Sequence, residues 1–324
     1  MERVSQCLLR EVQKNFPLVS EPYKELGKRC GLSEEEVFEY LTKFKEEGLL
    51  RQISAIFNPQ ALGYRTTLVA ASVPPQKIEK AAQVINAYPG VSHNYLRDHH
   101  YNLWFTIAIP PGKDPDKTVQ RLLEEAKVSD YLLLPIKRVF KIALILDLNE
   151  EGNGNGQEAK VVIKTAPPPD EKIISLVRLT QEDLPLVSRP FTIIGKKISL
   201  PEEEILRWLK EGLKTGLIRR FAGLVRHTKA GFHGNVMVAW QVPKERMEEV
   251  GQGLAGEPGI THCYERRSYP HWPYNLYTML HAKEKEEALA LVESLARKYD
   301  LREYLPLTTL KELKKIRLKL FWEE

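Results

Sequence analysis

The second half of the chain repeats the first, and this duplication limits the fold more than any other feature of the sequence. Matching residues lie 168 positions apart in three stretches: Pro17 and Pro185, Gly48 and Gly216, Gly63 and Gly231. The offset becomes 169 at Pro89 and Pro258. A repeat of this length indicates tandem duplication, so we expect each half to fold in the same way.

Glycine and proline mark the boundary between the halves. Residues 149–171 contain Gly152, Gly154 and Gly156, followed by prolines at 167–169. This composition predicts a flexible and then a stiff linker. The predicted domains are 1–60 and 61–148 in the first copy, a linker at 149–171, and 172–230 and 231–324 in the second copy.

The first part of each half has the pattern of short helices. Residues 23–30 predict a helix that ends near Gly31. Ser33 then predicts an N-cap for a helix over 34–47, and Glu36, three residues on, completes a capping box. Short helix, turn and longer helix, followed by a strand over 50–57, is the pattern of a winged helix-turn-helix domain.

The second part of each half reads strand, helix, strand, strand, helix, strand. In the first copy the segments are 64–73, 76–88, 92–97, 102–109, 116–127 and 131–136. In the second copy they are 235–242, 244–254, 261–267, 275–282, 285–299 and 304–307. This order predicts a ferredoxin-like (βαββαβ) domain, an antiparallel sheet with helices on one face.

The uncovered face of each sheet must also be buried, and the sheet of the other half is the nearest partner. We therefore expect an internal pseudo-dimer, and leave open whether chains assemble further. The predicted fold class is α+β: a tandem duplication of a winged helix-turn-helix domain plus a ferredoxin-like domain.

Composition narrows the class of protein. A hydrophobic content of 43% and a charged content of 28% are typical of soluble globular proteins. The sequence has no run of about 20 apolar residues, so we expect no membrane span. The N-terminus lacks a signal peptide's apolar core. The scattered Cys7, Cys30 and Cys263 argue against a zinc ribbon, an iron–sulfur site or a disulfide framework, and favour the cytoplasm. The net charge of +5 permits an anionic partner.

The domain order resembles the Lrp/AsnC family of transcription regulators, and sequence motifs carry a closer resemblance. Residues 53–59 (ISAIFNP), 62–64 (LGY), 90–95 (GVSHNY) and 101–105 (YNLWF) look like one subunit type of siroheme decarboxylase. Residues 219–227 (RRFAGLVRH), 235–240 (NVMVAW), 262–264 (HCY) and 272–276 (WPYNL) look like the other type. The two types occur as separate or fused chains in that family, and this chain looks like the fusion.

The resemblance implies an activity. Siroheme decarboxylases remove carboxyl groups from two acetate side chains of siroheme and give 12,18-didecarboxysiroheme. The family serves heme d1 synthesis and the siroheme-dependent alternative heme route, and the sequence leaves open which of them this chain serves.

The helix that would read DNA argues for an enzyme rather than a regulator. A recognition helix places Arg, Lys, Asn, Gln or Ser at base edges between phosphates. Here its first turn is acidic in both copies, at 34–36 and 202–204. Carboxylates repel phosphates, so DNA binding is not expected. A regulator that senses a tetrapyrrole or an amino acid remains the alternative, and a siroheme carrier without turnover is a third reading.

Siroheme is a flat macrocycle edged with carboxylates, so its binding calls for guanidinium groups and an apolar wall. The predicted carboxylate clamps are Arg219, Arg220, Arg226 and Arg266, with Arg51 and Arg97 as first-half counterparts. The predicted aromatic wall is Trp240, Tyr264 and Trp272. Helix-end charges and core packing are the alternative roles for these residues.

Decarboxylation leaves an electron pair on the acetate methylene carbon, and the macrocycle can delocalise it. We therefore expect no added organic cofactor; the protein must supply a proton, and histidine is the natural donor. His227 and His262 are the predicted catalytic residues. The further substrate-binding candidates are His93, His99, His100, His271 and His281. One of these histidines could instead ligate the substrate's iron, and the sequence does not separate the two roles.

Overall fold

The computed structural model describes residues 3–142, 169–225, 234–282 and 284–322. They divide into two compact units. The helical unit contains residues 3–64, 169–225 and 319–322, and the barrel unit contains residues 65–142, 234–282 and 284–318. Most of the predicted linker lies outside the described residues, as do Arg226 and His227.

The two halves contain the same succession of elements. The first half contains α1 (Arg3–Lys14), α2 (Pro22–Cys30), α3 (Glu34–Glu46), β1 (Leu50–Phe57), β2 (Arg65–Ala71), α4 (Ile78–Ala87), β3 (Val91–Arg97), β4 (Leu103–Ile109), α5 (Pro115–Glu125) and β5 (Tyr131–Ile142). The second half contains α6 (Glu171–Thr180), α7 (Pro190–Ile198), α8 (Glu202–Thr215), β6 (Ile218–Val225), β7 (Gly234–Trp240), α9 (Met247–Gly256), β8 (Ile260–Arg266), β9 (Leu276–Ala282), α10 (Lys285–Lys298) and β10 (Tyr304–Lys315). The predicted α+β class and the duplicated order are confirmed.

The helical unit joins both helix-turn-helix copies. The capping box at α3 is confirmed: the Ser33 hydroxyl accepts from the Glu36 amide at 3.2 Å, and the Glu36 carboxylate accepts from the Ser33 amide at 2.8 Å. Strands β1 and β6 pair antiparallel and so connect the copies. Gly223 of β6 is closely covered, since a Cβ there would lie 2.4 Å from Val12.

The expectation that the cysteines form no disulfide is wrong for one pair. Cys7 of α1 and Cys30 of α2 are disulfide-bonded, with their Cα atoms 5.8 Å apart. Packing of α1 against α2 brings together two residues that the sequence separates by 23 positions. Cys263 is buried and unbonded.

The barrel unit is a closed eight-stranded barrel in the order β10-β3-β4-β2-β5-β8-β9-β7. Two long strands close it. β5 pairs with β2 along its first part and with β8 of the second copy from Ile136 onward. β10 likewise pairs first with β7 and then with β3 of the first copy. The predicted strand ends at 136 and 307 were therefore too early, because the extensions pair only with the other copy.

The barrel has one inner and two outer cores. Residues from both copies fill the inside, including Trp104, Leu134, Met237, Trp272 and Leu307. The helices of each copy cover the outer face of their own sheet. The expected internal pseudo-dimer is confirmed within this unit, since each sheet buries its open face against the other. No helix among the described residues is long and apolar enough to cross a membrane.

Candidate active site

Strands β3 and β8 carry the same triplet on the inner face of the barrel. The triplets are His93, Tyr95 and Arg97 in the first copy, and His262, Tyr264 and Arg266 in the second. Alternate residues of a strand point to opposite faces. Asn94 bonds Asn86 of α4 outside the barrel, so its neighbours in β3 point inward.

The two triplet arginines connect the copies to each other. The Arg97 guanidinium donates to the Leu307 carbonyl, and that of Arg266 donates to the Leu134 carbonyl, both at 2.7 Å. Burial lowers the pKa of Arg97 to about 10 and also lowers the pKa of Arg266. Each guanidinium lies over the tyrosine of its own triplet, and its Nε is buried without a hydrogen-bond partner among the described residues. These contacts join the two copies, and the role of both arginines as carboxylate clamps stays a prediction.

A cavity of about 240 Å³ is lined by residues of β3, β7, β9 and β10 and by the first residue of α10. Its polar lining comprises Tyr95, His281, Lys285, Thr308, Thr309, Glu312 and Lys315, and its apolar lining comprises Val236 and Met279. Lys315 lies 3.8 Å from the Glu312 carboxylate. The cavity therefore presents two ammonium groups and an imidazole to one small space.

The histidines of the two triplets lie directly opposite residues that line this cavity. His93 is paired with Lys315, and His262 is paired with Met279. Burial lowers the pKa of both His93 and His281, and the charge of Lys315 lowers each further. Both effects favour the neutral form of each imidazole.

The Thr261 hydroxyl links His262 to the neighbouring strand. His262 Nδ1 lies 2.9 Å from this hydroxyl, and the hydroxyl donates to the Met279 carbonyl at 3.3 Å. These contacts fix the orientation of the imidazole ring. His93 repeats the contact, with Nδ1 2.9 Å from the Ser92 hydroxyl.

The predicted loop histidines have local partners. His99 Nδ1 accepts from the Tyr101 amide at 3.0 Å, and His100 lies 2.9 Å from the Asp130 carboxylate. His271 is exposed in the turn before β9. These contacts hold the loop that joins β3 to β4.

The predicted aromatic residues fall in two different cores. Trp272 is buried inside the barrel against Trp104, and its indole donates to the Tyr277 hydroxyl at 2.6 Å. Trp240 is fully buried on the outer face, where its indole donates to Thr278. The placement of Trp240 assigns it to packing under the helices of the second copy.

Three of the predicted arginines belong to the helical unit. Arg51 and Arg219 are exposed on β1 and β6, and Arg219 donates to the Asn58 side chain at 3.4 Å. Arg220 is half-buried, and burial lowers its pKa. Their role as substrate clamps stays a prediction, as do the roles of Arg226 and His227.

The acidic helix starts have partners that sequence reasoning missed. Ser20 donates to Glu202 at 2.5 Å, and its repeat partner Ser188 donates to Glu34 at 2.7 Å. Arg189 also donates to Glu202, at 2.6 Å. The signal was available, because both the serines and the glutamates lie 168 positions apart. The N-terminus of each presumed recognition helix is thus engaged by the other copy.

The lysines of the cavity were also missed. Lys315 and Glu312 lie in the part of β10 beyond the predicted strand end, and Lys285 begins α10. Within the described residues, no three His, Cys, Asp or Glu side chains form a group that could hold a metal ion.

Comparison with known proteins assigns both kinds of domain. The AsnC-like ligand binding domain matches residues 61–141 and 229–314. The siroheme decarboxylase NirDL-like HTH domain matches residues 5–51 and 174–219. Each model thus matches once in each half.

Relatives match over the full chain or over one half. A siroheme decarboxylase of Hydrogenobacter thermophilus is 40% identical over 98% of this chain and 95% of that protein. The crystal structure of the siroheme decarboxylase NirDL in co-complex with an iron-uroporphyrin III analogue is 35% identical, covers 98% of this chain and 94% of that chain, and has a TM-score of 0.79. A siroheme decarboxylase beta subunit of Methanosarcina barkeri is 36% identical and matches 47% of this chain but 99% of its own length.

Proposed function

The chain belongs to the siroheme decarboxylase family, and on that premise we propose that it removes carboxyl groups from two acetate side chains of siroheme to give 12,18-didecarboxysiroheme. The observation that carries the proposal is the cavity of the barrel unit, with its two lysines and its histidine. Ammonium groups pair with carboxylates, and imidazole exchanges protons near neutral pH. The cavity is smaller than the roughly 300–1,000 Å³ of whole-ligand sites. It suits a carboxylate-bearing edge of the macrocycle.

The chemistry needs a held carboxylate and a proton. Loss of carbon dioxide leaves the electron pair of the broken C–C bond on the methylene carbon, where the macrocycle delocalises it. A positioned imidazolium then protonates that carbon to a methyl group. We propose no added organic cofactor, since the substrate itself disperses the charge and carries the iron.

The histidines around the cavity are the proposed sources of the protons. His281 lines it, and His93 and His262 adjoin it through Lys315 and Met279. His262 was predicted from the sequence, and the second predicted catalytic residue, His227, remains a candidate. His262 could instead ligate the substrate's iron.

We propose a cytoplasmic location for the reaction. Cys263 is buried and unbonded, as a thiol in a reducing compartment would be. Cell fractionation followed by detection of the protein with an antibody tests the location. We expect the protein in the cytoplasmic fraction, and its recovery in a membrane or exported fraction would contradict the location.

The activity is tested by anaerobic incubation of the purified chain with siroheme. We expect carbon dioxide and a product lighter by two carboxyl groups, with a singly decarboxylated species at early times. Heat-unfolded protein is the control for spontaneous loss. Recovery of unchanged siroheme from the folded protein would overturn the proposal and leave a carrier.

A DNA-binding regulator is the second candidate, and the contacts of the helical unit count against it. Glu34 and Glu202 stand where base-reading residues would, and each accepts a hydrogen bond from the other copy. A regulator would bind a defined operator with affinity that falls steeply with salt. We expect no such binding at about 0.1 M salt, in an electrophoretic or fluorescence assay.

A further inference from the structure

The duplication allows the two ends of the barrel to be compared residue by residue. Thr106 of β4 pairs with His93 as Met279 of β9 pairs with His262. The equivalent positions in β4 and β9 therefore lie 173 residues apart. Strands β5 and β10 keep the same offset, since Val139 pairs with Tyr264 as Glu312 pairs with Tyr95.

Four ionisable residues of the cavity, His281, Lys285, Glu312 and Lys315, have no ionisable equivalent at the other end. Position 108, equivalent to His281, is alanine, and position 112, equivalent to Lys285, is glycine. Positions 139 and 142, equivalent to Glu312 and Lys315, are valine and isoleucine. The triplets on β3 and β8 are alike, so these four positions make the difference in ionisable groups between the compared positions of the two ends.

This difference decides which end offers cations to a substrate carboxylate. An ionised carboxylate pays a large desolvation cost unless a cation or several donors receive it. The end with the cavity offers the ammonium groups of Lys285 and Lys315. At the equivalent positions the opposite end offers only alkyl groups and a glycine, so a carboxylate there would lack these partners.

We propose that the chain has a single working site, at the β10–β7–β9 end of the barrel, where Lys315 holds the reacting carboxylate and His281 delivers the proton. The inference rests on the proposed function and specifies the residues of its site. Lys315 is more than half exposed and is paired only with the nearby Glu312 among the ion pairs of the described residues. An incoming substrate carboxylate can therefore replace Glu312 as its partner.

The step balances with these two residues. The bond between the methylene carbon and the carboxylate carbon breaks, carbon dioxide leaves, and the electron pair stays on the methylene carbon. The N–H proton of the His281 imidazolium forms the new C–H bond, and water returns a proton to the imidazole. The bound carboxylate offsets the positive charge of Lys315 beside His281, and this favours the imidazolium that the step requires.

The first test compares two lysines of one strand. Lys315→Met and the control Lys311→Met remove the same charge from β10, and Lys311 is exposed and is not part of the cavity lining. With siroheme as substrate, we expect Lys315→Met to raise KM at least tenfold and Lys311→Met to leave both constants unchanged. Equal effects of the two substitutions would overturn the role of Lys315.

The second test separates binding from proton delivery. His281→Ala gives β9 the residue that β4 carries at the equivalent position, and His281→Gln keeps a polar side chain of similar size. We expect both to lower kcat about 100-fold, the size of a lost general acid, with KM within threefold of the parent. Unchanged kcat in the folded His281→Gln protein would overturn the assignment.

The third test counts sites and is independent of turnover. Absorbance titration of the full chain with iron uroporphyrin III should give one bound probe per chain, and Lys315→Met should weaken that binding. Two equal sites per chain would overturn the single-site inference. If the parent binds the probe once and never converts siroheme, the proposed function fails while the asymmetry of the barrel stands.

Discussion

Replacing Ser20 by alanine removes one of two equivalent hydrogen bonds between the helix-turn-helix copies, and the duplication supplies its control. Ser20 donates to Glu202 at 2.5 Å, and Glu202 is 8% exposed. Ser188 makes the equivalent bond to Glu34 at 2.7 Å in a more exposed setting. Ser20→Ala and Ser188→Ala therefore delete the same group from two sites that differ in burial and in Arg189, which donates to both Ser20 and Glu202.

The expected costs follow from that difference. A hydrogen bond to a charged group contributes about 1.5–3 kcal/mol to stability. Arg189 still donates to Glu202 at 2.6 Å in the Ser20→Ala variant, so the carboxylate keeps one partner. We expect Ser20→Ala to lower the free energy of unfolding by about 2 kcal/mol. Ser188→Ala should lower it by about 0.5–1 kcal/mol, because water can replace an exposed hydrogen bond at little cost in free energy.

Urea unfolding followed by circular dichroism measures both losses at neutral pH. Burial raises the pKa of Glu202, but the bonds from Ser20 and Arg189 outweigh burial and leave the pKa below its ordinary value of 4.5. A carboxyl with a lowered folded-state pKa stabilises the fold above the unfolded pKa, and this contribution is lost as pH falls. The cost of Ser20→Ala should therefore persist at pH 5 and shrink in stronger acid. A larger loss in Ser188→Ala, or a Ser20→Ala cost that acid does not change, would refute this reasoning.

Three further predictions concern other contacts. Burial and, to a lesser extent, the charge of Lys315 lower the pKa of His93 and His281 below 6.5. The contribution of these histidines to stability is therefore complete above that pH and is lost as pH falls. Lys315→Met should raise both pKa values in a ring-proton NMR titration, and unchanged values would exclude the electrostatic coupling. The Gln181 side-chain amide donates to the Leu320 carbonyl at 2.9 Å and accepts from the Leu320 amide at 2.8 Å, and both bonds are buried. Gln181→Ala should therefore lower the free energy of unfolding in urea by about 2–3 kcal/mol. A loss below about 0.5 kcal/mol would mean that water replaces both bonds. Reduction of the Cys7–Cys30 bond opens a loop with a sequence separation of 23. The chain-entropy relation predicts that this lowers the free energy of unfolding by about 3 kcal/mol. Thermal melting with and without reductant measures the loss, and Cys7→Ser should melt like the reduced protein.

Local features of this protein could be predicted from the sequence because the residues that interact are only a few positions apart in the chain. Ser33 and Glu36 form their capping box three residues apart, and α2 ends at Gly31 in the left-handed conformation. The order of helices and strands was readable for the same reason, and the duplication predicted the pairing of the two sheets. The family resemblance came from motifs and did not depend on knowing which residues meet.

Distant contacts were not readable, and they decide how the candidate site is built. The extensions of β5 and β10 pair with strands of the other copy, so nothing near them in sequence reveals that they are strands. For the same reason Arg97 and Arg266, predicted as carboxylate clamps, bond carbonyls of the opposite copy.

The sequence by itself determined that two like halves pair, that their helix starts are acidic, and that histidines and arginines gather in the hairpins. Only the tertiary structure decided which of these side chains share a cavity with Lys315. The physical reason is the register between strands of different copies: it places Lys315 beside His93 and gives one end of the barrel its charge, and no local pattern encodes it.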